Sequence, residues 1–355
     1  MGRWLLLQIG RAVLAAWATA SIIFILSRIT AGAVENSMLG EPDDLQAVGV
    51  DAAPGTTPGD VRRALTQRLG LDEPIFYITR TAPSAAAWHW HGTHNQYHHW
   101  LVGLLHGQLG VSFRDGQPIG PRLRAALSYT FPLTAAAAII ATFSALGLGL
   151  ALADGPLPGR TTGWRALVHA LLTSVQSLPV FTLALGLLFL FANPDLLNIL
   201  PAFSASSNTS LVSLGTYLSE LVLPLVALVL AVLPELTLPL VASLHHELRA
   251  DYATTAKAKG ATTSQLLRRH VLPNAVLPLL TSLAGLLPTL LAGTVVVEMV
   301  FALPGTGRLL AEAAASHDYP VVVAGVLLIA AARLLSLALA DALYSLFDPR
   351  IRLAS

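Results

Sequence analysis

The chain has 355 residues, 54% of them hydrophobic and only 12% charged, with a net charge of +1 and a mean hydropathy of +0.65. Soluble domains carry about 25% charged residues, so the deficit excludes an ordinary soluble enzyme and points to an integral membrane protein. The near-neutral balance gives no nucleic-acid signal. Cysteine is absent, which removes disulfides, thiolate metal sites and a cysteine nucleophile together.

A membrane span needs about 20 mainly apolar residues. Six such runs are read in chain order, at about 8–30, 128–152, 166–192, 218–243, 278–302 and 321–347. The expected fold is an all-α integral membrane protein of about six transmembrane helices. Residues 1–30 hold the first helix, 31–127 an enlarged extracytoplasmic loop or cap, 128–347 a five-helix core and 348–355 a cytoplasmic tail. Arg3 and Arg11 flank the first run and place the N-terminus in the cytoplasm. Alternation then puts 193–217 and 303–320 outside, 153–165 and 244–277 inside, and the C-terminus, with Arg350 and Arg352, inside. The competing reading of the first run is a signal peptide, with Arg3 and Arg11 as its n-region and Ala31-Gly32-Ala33 as a cleavage site. The run is long, and a retained helix is the simpler expectation.

The outer loop begins as a stretch rich in Gly, Pro and Asp from Glu35 to Asp60. Short amphipathic helices are expected over Val61–Leu71 and Trp100–Leu109. His89, His91, His94, His98 and His99 lie there among Trp88, Trp90 and Trp100. Neutral imidazoles bind Ni²⁺, Cu²⁺ and Zn²⁺, which makes the five a candidate metal site. No acidic partner for them is visible nearby in sequence, although metal-binding histidines usually have one. The alternative is a contact surface suited to the membrane interface, where Trp and Tyr are enriched. Ser-rich Phe203 to Ser210 has no partner base and reads as loop.

Two deep charges stand out. Glu235 lies between Pro234 and Pro239 in the fourth run, and Arg333 near the middle of the sixth. Intramembrane ionisable groups are costly and face a cavity or a partner, and prolines loosen a helix toward a pathway. Glu235 and Arg333 are therefore candidate lining residues of a substrate route. Mutual pairing, or pairing with another subunit, is the structural alternative.

The loop 244–277 is polar between two apolar runs and holds both lysines of the chain, Lys257 and Lys259, with Arg249, Arg268 and Arg269 close by. Its pattern predicts a short helix, a turn at Gly260 and a second helix ending before Pro273. Small residues Ala253, Ala256 and Ala258 would let that first helix approach a partner closely, and Gly260 would permit a left-handed turn. Neither lysine follows a glycine, so there is no P-loop. A His-Glu-x-x-His site and a Gly-x-Ser-x-Gly elbow are absent too.

Several segments, in order, resemble the dipeptide/oligopeptide/nickel permease family of ABC importers, the binding-protein-dependent inner membrane components. They are Leu71-Asp-Glu-Pro74, Gly107-Gln-Leu-Gly-Val-Ser112, Asp251-Tyr252 with Thr255-Ala-Lys-Ala-Lys-Gly260, and Leu266-Leu-Arg-Arg-His270 with Leu272-Pro-Asn-Ala-Val-Leu-Pro278. Val297-Glu-Met-Val-Phe301 follows, then Pro304-Gly-Thr-Gly307, Asp318-Tyr-Pro320 and Asp348-Pro-Arg-Ile-Arg352. The general pattern Glu-Ala-Ala is replaced by Thr254, Thr255 and Ala256, and residues 31–60 and 81–95 look like additions.

The resemblance implies a transport subunit rather than an enzyme, in the bacterial cytoplasmic membrane. It implies two facing permeases, cytoplasmic ATPase subunits that hold ATP and Mg, and an extracytoplasmic substrate-binding protein. No cofactor is expected in this chain. Asp251, Tyr252, Thr255, Ala256, Lys257, Ala258, Lys259, Gly260, Leu272 and Pro273 would form the ATPase-coupling loop, while Glu298 and Asp341 match family motifs with a structural role. A self-sufficient secondary transporter or channel is the alternative. It would call for internal repeats or a chain of intramembrane acids, and neither is evident.

Overall fold

Long runs of Ala, Leu, Val and Ile with few breakers fold here into helices, and the breakers decide where those helices bend. The computed structural model describes residues 10–11, 13–25, 28, 73–80, 88–153, 163–197, 199–201 and 214–347. In order, the principal elements are α1 (Val13–Ile25), β1 (Ile78–Arg80), β2 (Trp88–Trp90), α2 (Gln96–Leu105), α3 (Ile119–Ala153), α4 (Trp164–Ser177), α5 (Val180–Phe191) and α6 (Leu214–Glu247). They continue with α7 (Asp251–Ala258), α8 (Leu277–Val300), α9 (Thr306–Ala315) and α10 (Tyr319–Phe347).

Two bodies divide the chain. One holds Leu127–Arg308 and the segment from Ala331 onward; the other holds Gly10–Ala126 and Leu309–Ala330. In the first, Ala137, Ala141 and Ala145 of α3 are completely buried at four-residue spacing. Gly149 continues the row, and a β-carbon there would strike the Leu240 side chain of α6. Small residues along one stripe let membrane helices approach closely. Leu223, Leu228, Leu236, Leu240 and Leu244 form the buried stripe of α6, which packs most extensively on α8.

Among the described residues, three helices are long and apolar enough to cross a membrane alone: α3, Ser219–Glu247 within α6, and Tyr319–Ala338 within α10. Up to five spans result if each bent pair is one span. The predicted run 166–192 is not straight. It breaks at Leu178-Pro179, where α4 and α5 meet at 112°. A residue before proline is driven out of the helical region, and Leu178 is extended, with φ −89° and ψ 130°. The run 278–302 bends by 42° between Leu277–Leu283 and Gly285–Val300. Pro288 lies inside α8 and leaves the Ala284 carbonyl, four residues back, without its helical donor. The second run begins earlier than expected, at Ile119, because the arginine-bearing segment before it continues the same helix. The described apolar helix of the first run, Val13–Ile25, is shorter than a full span. Val61–Leu71, Phe203–Ser210 and the motif at 348–352 lie outside the described residues.

One buried carboxylate organises the end of α8. Glu298 is 1% exposed. It accepts from the Thr130 hydroxyl at 2.6 Å, from the Arg308 N–H at 3.1 Å and from the Gly307 N–H. The last two are orphan donors at the start of α9, so the carboxylate caps that helix from inside the protein. Thr130 in turn accepts from the Thr306 N–H at 2.8 Å. Glycine is required at 305 and 307 because a β-carbon would strike the Glu298 carboxyl at the first and the Val295 backbone at the second.

The second body also holds a buried acidic side chain. Asp318, 3% exposed, precedes α10 and accepts from the Ser112 hydroxyl at 2.5 Å and the Phe113 N–H at 2.9 Å. A small core of Ile119, Leu123, Ala313, Val321 and Ala324 packs beside it.

Replacing Gly305 by Ala is expected to cost about 1–3 kcal/mol, the usual cost of overpacking a closed site, and to lower the melting temperature in detergent. The same change at Gly285, where a β-carbon would meet nothing within 4 Å, is expected to leave it unchanged or raised. Equal melting temperatures for the two variants would contradict the role given to Glu298.

Candidate functional site: the elbow between α6 and α8

α6 ends at Glu247, and the chain turns through Leu248–Ala250 into α7. Asp251 in the first turn of α7 and Lys257 in the last both suit the helix dipole. α7 buries only Ala253, with Ala256 half-buried against the core. Asp251, Tyr252, Thr255, Lys257, Ala258, Lys259 and Gly260 are exposed. Alanine at 253 and 256 thus seats the helix on its own body, while Ala258 faces outward.

The helix stops in a Schellman motif. The Ala261 N–H donates to the Ala256 carbonyl at 3.2 Å, and the Gly260 N–H to the Lys257 carbonyl at 3.0 Å. Gly260 has φ +89°, a conformation that resists a β-carbon. Nothing lies within 4 Å of the position a β-carbon would take there, so the site opens to solvent.

Beyond the turn, Thr262 and Gln265 form a reciprocal capping box. The chain then passes through Thr263–Gln265, a π-helical turn over Leu266–Val271 and a short α-helix over Leu272–Ala275 into α8. The expected stop before Pro273 does not occur. In the wider π-turn the Leu272 N–H donates to the Leu267 carbonyl, and Pro273 falls in the first turn of the next helical segment, where its missing N–H costs nothing. Leu266, Leu267 and Val271 are buried, Leu272 is half-buried, and Arg268, Arg269, His270 and Pro273 are exposed.

Tyr252 ties the elbow together, an arrangement the sequence does not announce. Its hydroxyl donates to the Glu247 carboxylate at the end of α6 and accepts from the Asn274 side chain at 3.3 Å, just before α8. Burial first, and then the hydrogen bond to Glu247, raise the Tyr252 phenol above its ordinary pKa, so it remains a donor at neutral pH. The elbow therefore presents a braced, cationic surface of Arg249, Lys257, Lys259, Arg268 and Arg269.

The other candidates are placed as follows. Glu235 and Arg333 are both exposed on their helices, and among the described residues no ion pair joins them. Pro239 leaves the Glu235 carbonyl without its helical donor. The five histidines lie on and around β2 and α2. His91 bonds Thr79 at 2.6 Å, His98 bonds the Tyr77 hydroxyl at 3.0 Å, and His99 lies 3.3 Å from the Glu73 carboxylate. Glu73 is thus an acidic neighbour that sequence distance concealed. His89 and His91 have ring centroids 5.6 Å apart, and the His94 backbone N–H donates to the His91 carbonyl at 3.2 Å. Among the described residues, no group of three His, Asp or Glu side chains converges so as to hold a metal ion. Glu298 belongs to the helix cap described above, and Asp341 lies within α10.

Residues 145–353 match the family described as "Binding-protein-dependent transport system inner membrane component". The chain is 31% identical over 313 residues to the dipeptide transport system permease protein DppB of Escherichia coli K12, covering 81% of this chain and 84% of that protein. It is 32% identical over 289 residues to the glutathione transport system permease protein GsiC of Pectobacterium atrosepticum, covering 81% and 82%. It is 30% identical over 257 residues to the oligopeptide transport system permease protein AppB of Bacillus subtilis, covering 72% and 79%. The matched region contains the whole elbow and Glu298 with the Gly307 and Arg308 amides it caps, and the chain belongs to the family of binding-protein-dependent transport system inner membrane components.

Proposed function

We propose that this chain is the membrane-spanning permease subunit of an ATP-binding-cassette importer and moves peptides, or a related small solute such as a nickel chelate, into the cytoplasm. The observation that carries the reading is the elbow. In a chain of this family, α7 is held by one buried alanine and a tyrosine brace while its remaining face, with both lysines, is open. The named substrates of the relatives (dipeptides, oligopeptides and glutathione) supply the substrate class.

In this reading the elbow lies in the cytoplasm, as the excess of Lys and Arg requires, and both termini lie on the same side. A separate ATPase subunit, carrying ATP and Mg, docks on Asp251–Gly260 and on the Leu272-Pro273 side. A second permease completes the route, and an extracytoplasmic binding protein delivers the solute. Closure of the ATPase pair moves α7, and the Tyr252 brace passes that motion to α6 and α8 together. ATP must bind the outward-facing state better than the inward-facing one, or no shift results. Glu235 and Arg333 are proposed to line the route and meet the charged ends of a zwitterionic solute.

Gly260→Asp is expected to abolish uptake while the protein stays in the membrane at normal abundance, because the new side chain enters open space but places a carboxylate and a strained turn on the docking face. Normal uptake at normal abundance would defeat the coupling assignment. Glu235→Gln is expected to weaken uptake of solutes with a free ammonium group more than that of N-blocked analogues. An unchanged rate and an unchanged preference would remove Glu235 from the route.

A further inference from the structure

We propose that the hairpin β1–β2 is a membrane-interface anchor whose Trp88 and Trp90 rings sit in the headgroup layer of the outer leaflet. Its outer-leaflet placement rests on the topology proposed above; the burial in lipid does not.

The two strands pair antiparallel with Ile78 opposite Trp90 and Thr79 opposite His89. Side chains alternate across a strand, so Ile78, Trp88 and Trp90 share one face with the Arg80 position, which pairs with Trp88, while Thr79 and His89 share the other. Three large apolar side chains on the first face are open: Ile78 is 44% exposed, Trp88 71% and Trp90 68%. Apolar rings beside a cationic position suit a headgroup layer. On the opposite face Thr79 bonds His91 and His89 is exposed. Two large rings left bare to water on one face of a hairpin are costly, since each buries 150–250 Å² when covered, by the usual range of about that size for aromatic side chains.

The level of the hairpin is fixed by what it stands on. α1 is apolar, and its last turns carry α2: Phe24 stacks on Trp100 with centroids 4.9 Å apart, and the Ser21 hydroxyl bonds the Tyr97 hydroxyl at 2.8 Å. The hairpin is joined to the same cluster, with Tyr77 stacked on Trp90 at 5.8 Å and edge-on to Tyr97 at 6.1 Å. Arg28, also helical, lies between the Phe24 and Phe113 rings at 5.2 and 4.9 Å. An arginine folded onto aromatic faces beside an apolar helix suits the boundary between hydrocarbon and headgroups, where Trp and Tyr are enriched. The aromatic cluster sits at this level, on Ser21 and Phe24 of α1. The hairpin, joined to the cluster through Tyr97, is placed by the proposal at headgroup depth, and the exposed Val102 and Leu105 of α2 belong to the same body.

The chain has no native cysteine, so single cysteines at 88, 89 and 90 can each carry a nitroxide. The labelled full-length protein, with the subunits it purifies with, is placed in phosphatidylcholine nanodiscs. Collision with oxygen, which concentrates in lipid, is compared with collision with a water-soluble nickel chelate. Labels at Trp88→Cys and Trp90→Cys are expected to favour oxygen at least several-fold more than the label at His89→Cys. Equal access of the chelate at all three positions would overturn the proposal. So would protection at 88 and 90 that arises only when an extracytoplasmic binding protein is added, since the face would then be a protein dock. Because the readout is depth and not transport, it stands or falls apart from the importer reading; loss of ATP-driven uptake by the unlabelled wild-type complex would instead count against that reading alone.

Discussion

Inside a bilayer every backbone N–H and C=O must find its partner within the protein, because no water is there to supply one. That constraint governs where this chain is allowed to depart from regular helix. Breaks come at Leu178-Pro179 and around Ala284, and the start of α9 is closed by a group brought from a distance. Glu298 reaches the first amides of α9, and Asp318, just before α10, accepts from Ser112 and Phe113. Each is an acidic side chain buried where it satisfies backbone or hydroxyl donors, the condition under which a buried polar group is tolerated.

The elbow is the complementary case. It is polar and exposed, yet it is ordered by its own chemistry. The Schellman turn at Gly260, the capping box at Thr262 and the Tyr252 brace each satisfy backbone or side-chain groups locally. The coupling role proposed for it calls for a surface stiff where it joins the membrane helices and free where it meets a partner. α7 has both properties: one face is held by Ala253 and by the phenol between Glu247 and Asn274, and the other is open. The π-turn serves the same end. Leu267, Val271, Ala275 and Leu279 are all buried at four-residue spacing, and in a helix of 3.6 residues per turn such a row drifts by about 40° at each step. Widening the turn over Leu266–Val271 keeps the row facing the body.

Much of this was legible in residue order. Helical membrane architecture followed from composition, the elbow from its lysines and Gly260, and family membership from motifs such as Val297–Phe301 and Pro304–Gly307. What the sequence hid were effects that depend on two distant segments meeting. Nothing near Tyr252 announces that its hydroxyl joins Glu247 to Asn274, and nothing near Thr130 points to Glu298. Pro179 did offer a signal, since a proline in the middle of a 27-residue apolar run argues against one straight span. Pro273 misled for the opposite reason: a proline stops a helix only where an N–H is needed, and the π-turn removes that need. The row of four-residue spacings through Val271 was the available clue. In the second body, Asn95 rather than Trp100 starts α2, because its side chain accepts from the His98 N–H at 2.8 Å.

Under the proposed function this chain is a passive half of a transport route, moved by a separate motor. The most direct measurement is purification of the tagged protein from its native membrane in mild detergent, followed by identification of its stoichiometric partners and reconstitution of the complex in liposomes. An ATPase and a second permease in fixed ratio, with solute uptake that requires ATP, are the expected result. A chain that emerges alone or as a homo-oligomer, and still moves solute with no ATPase present, would contradict it.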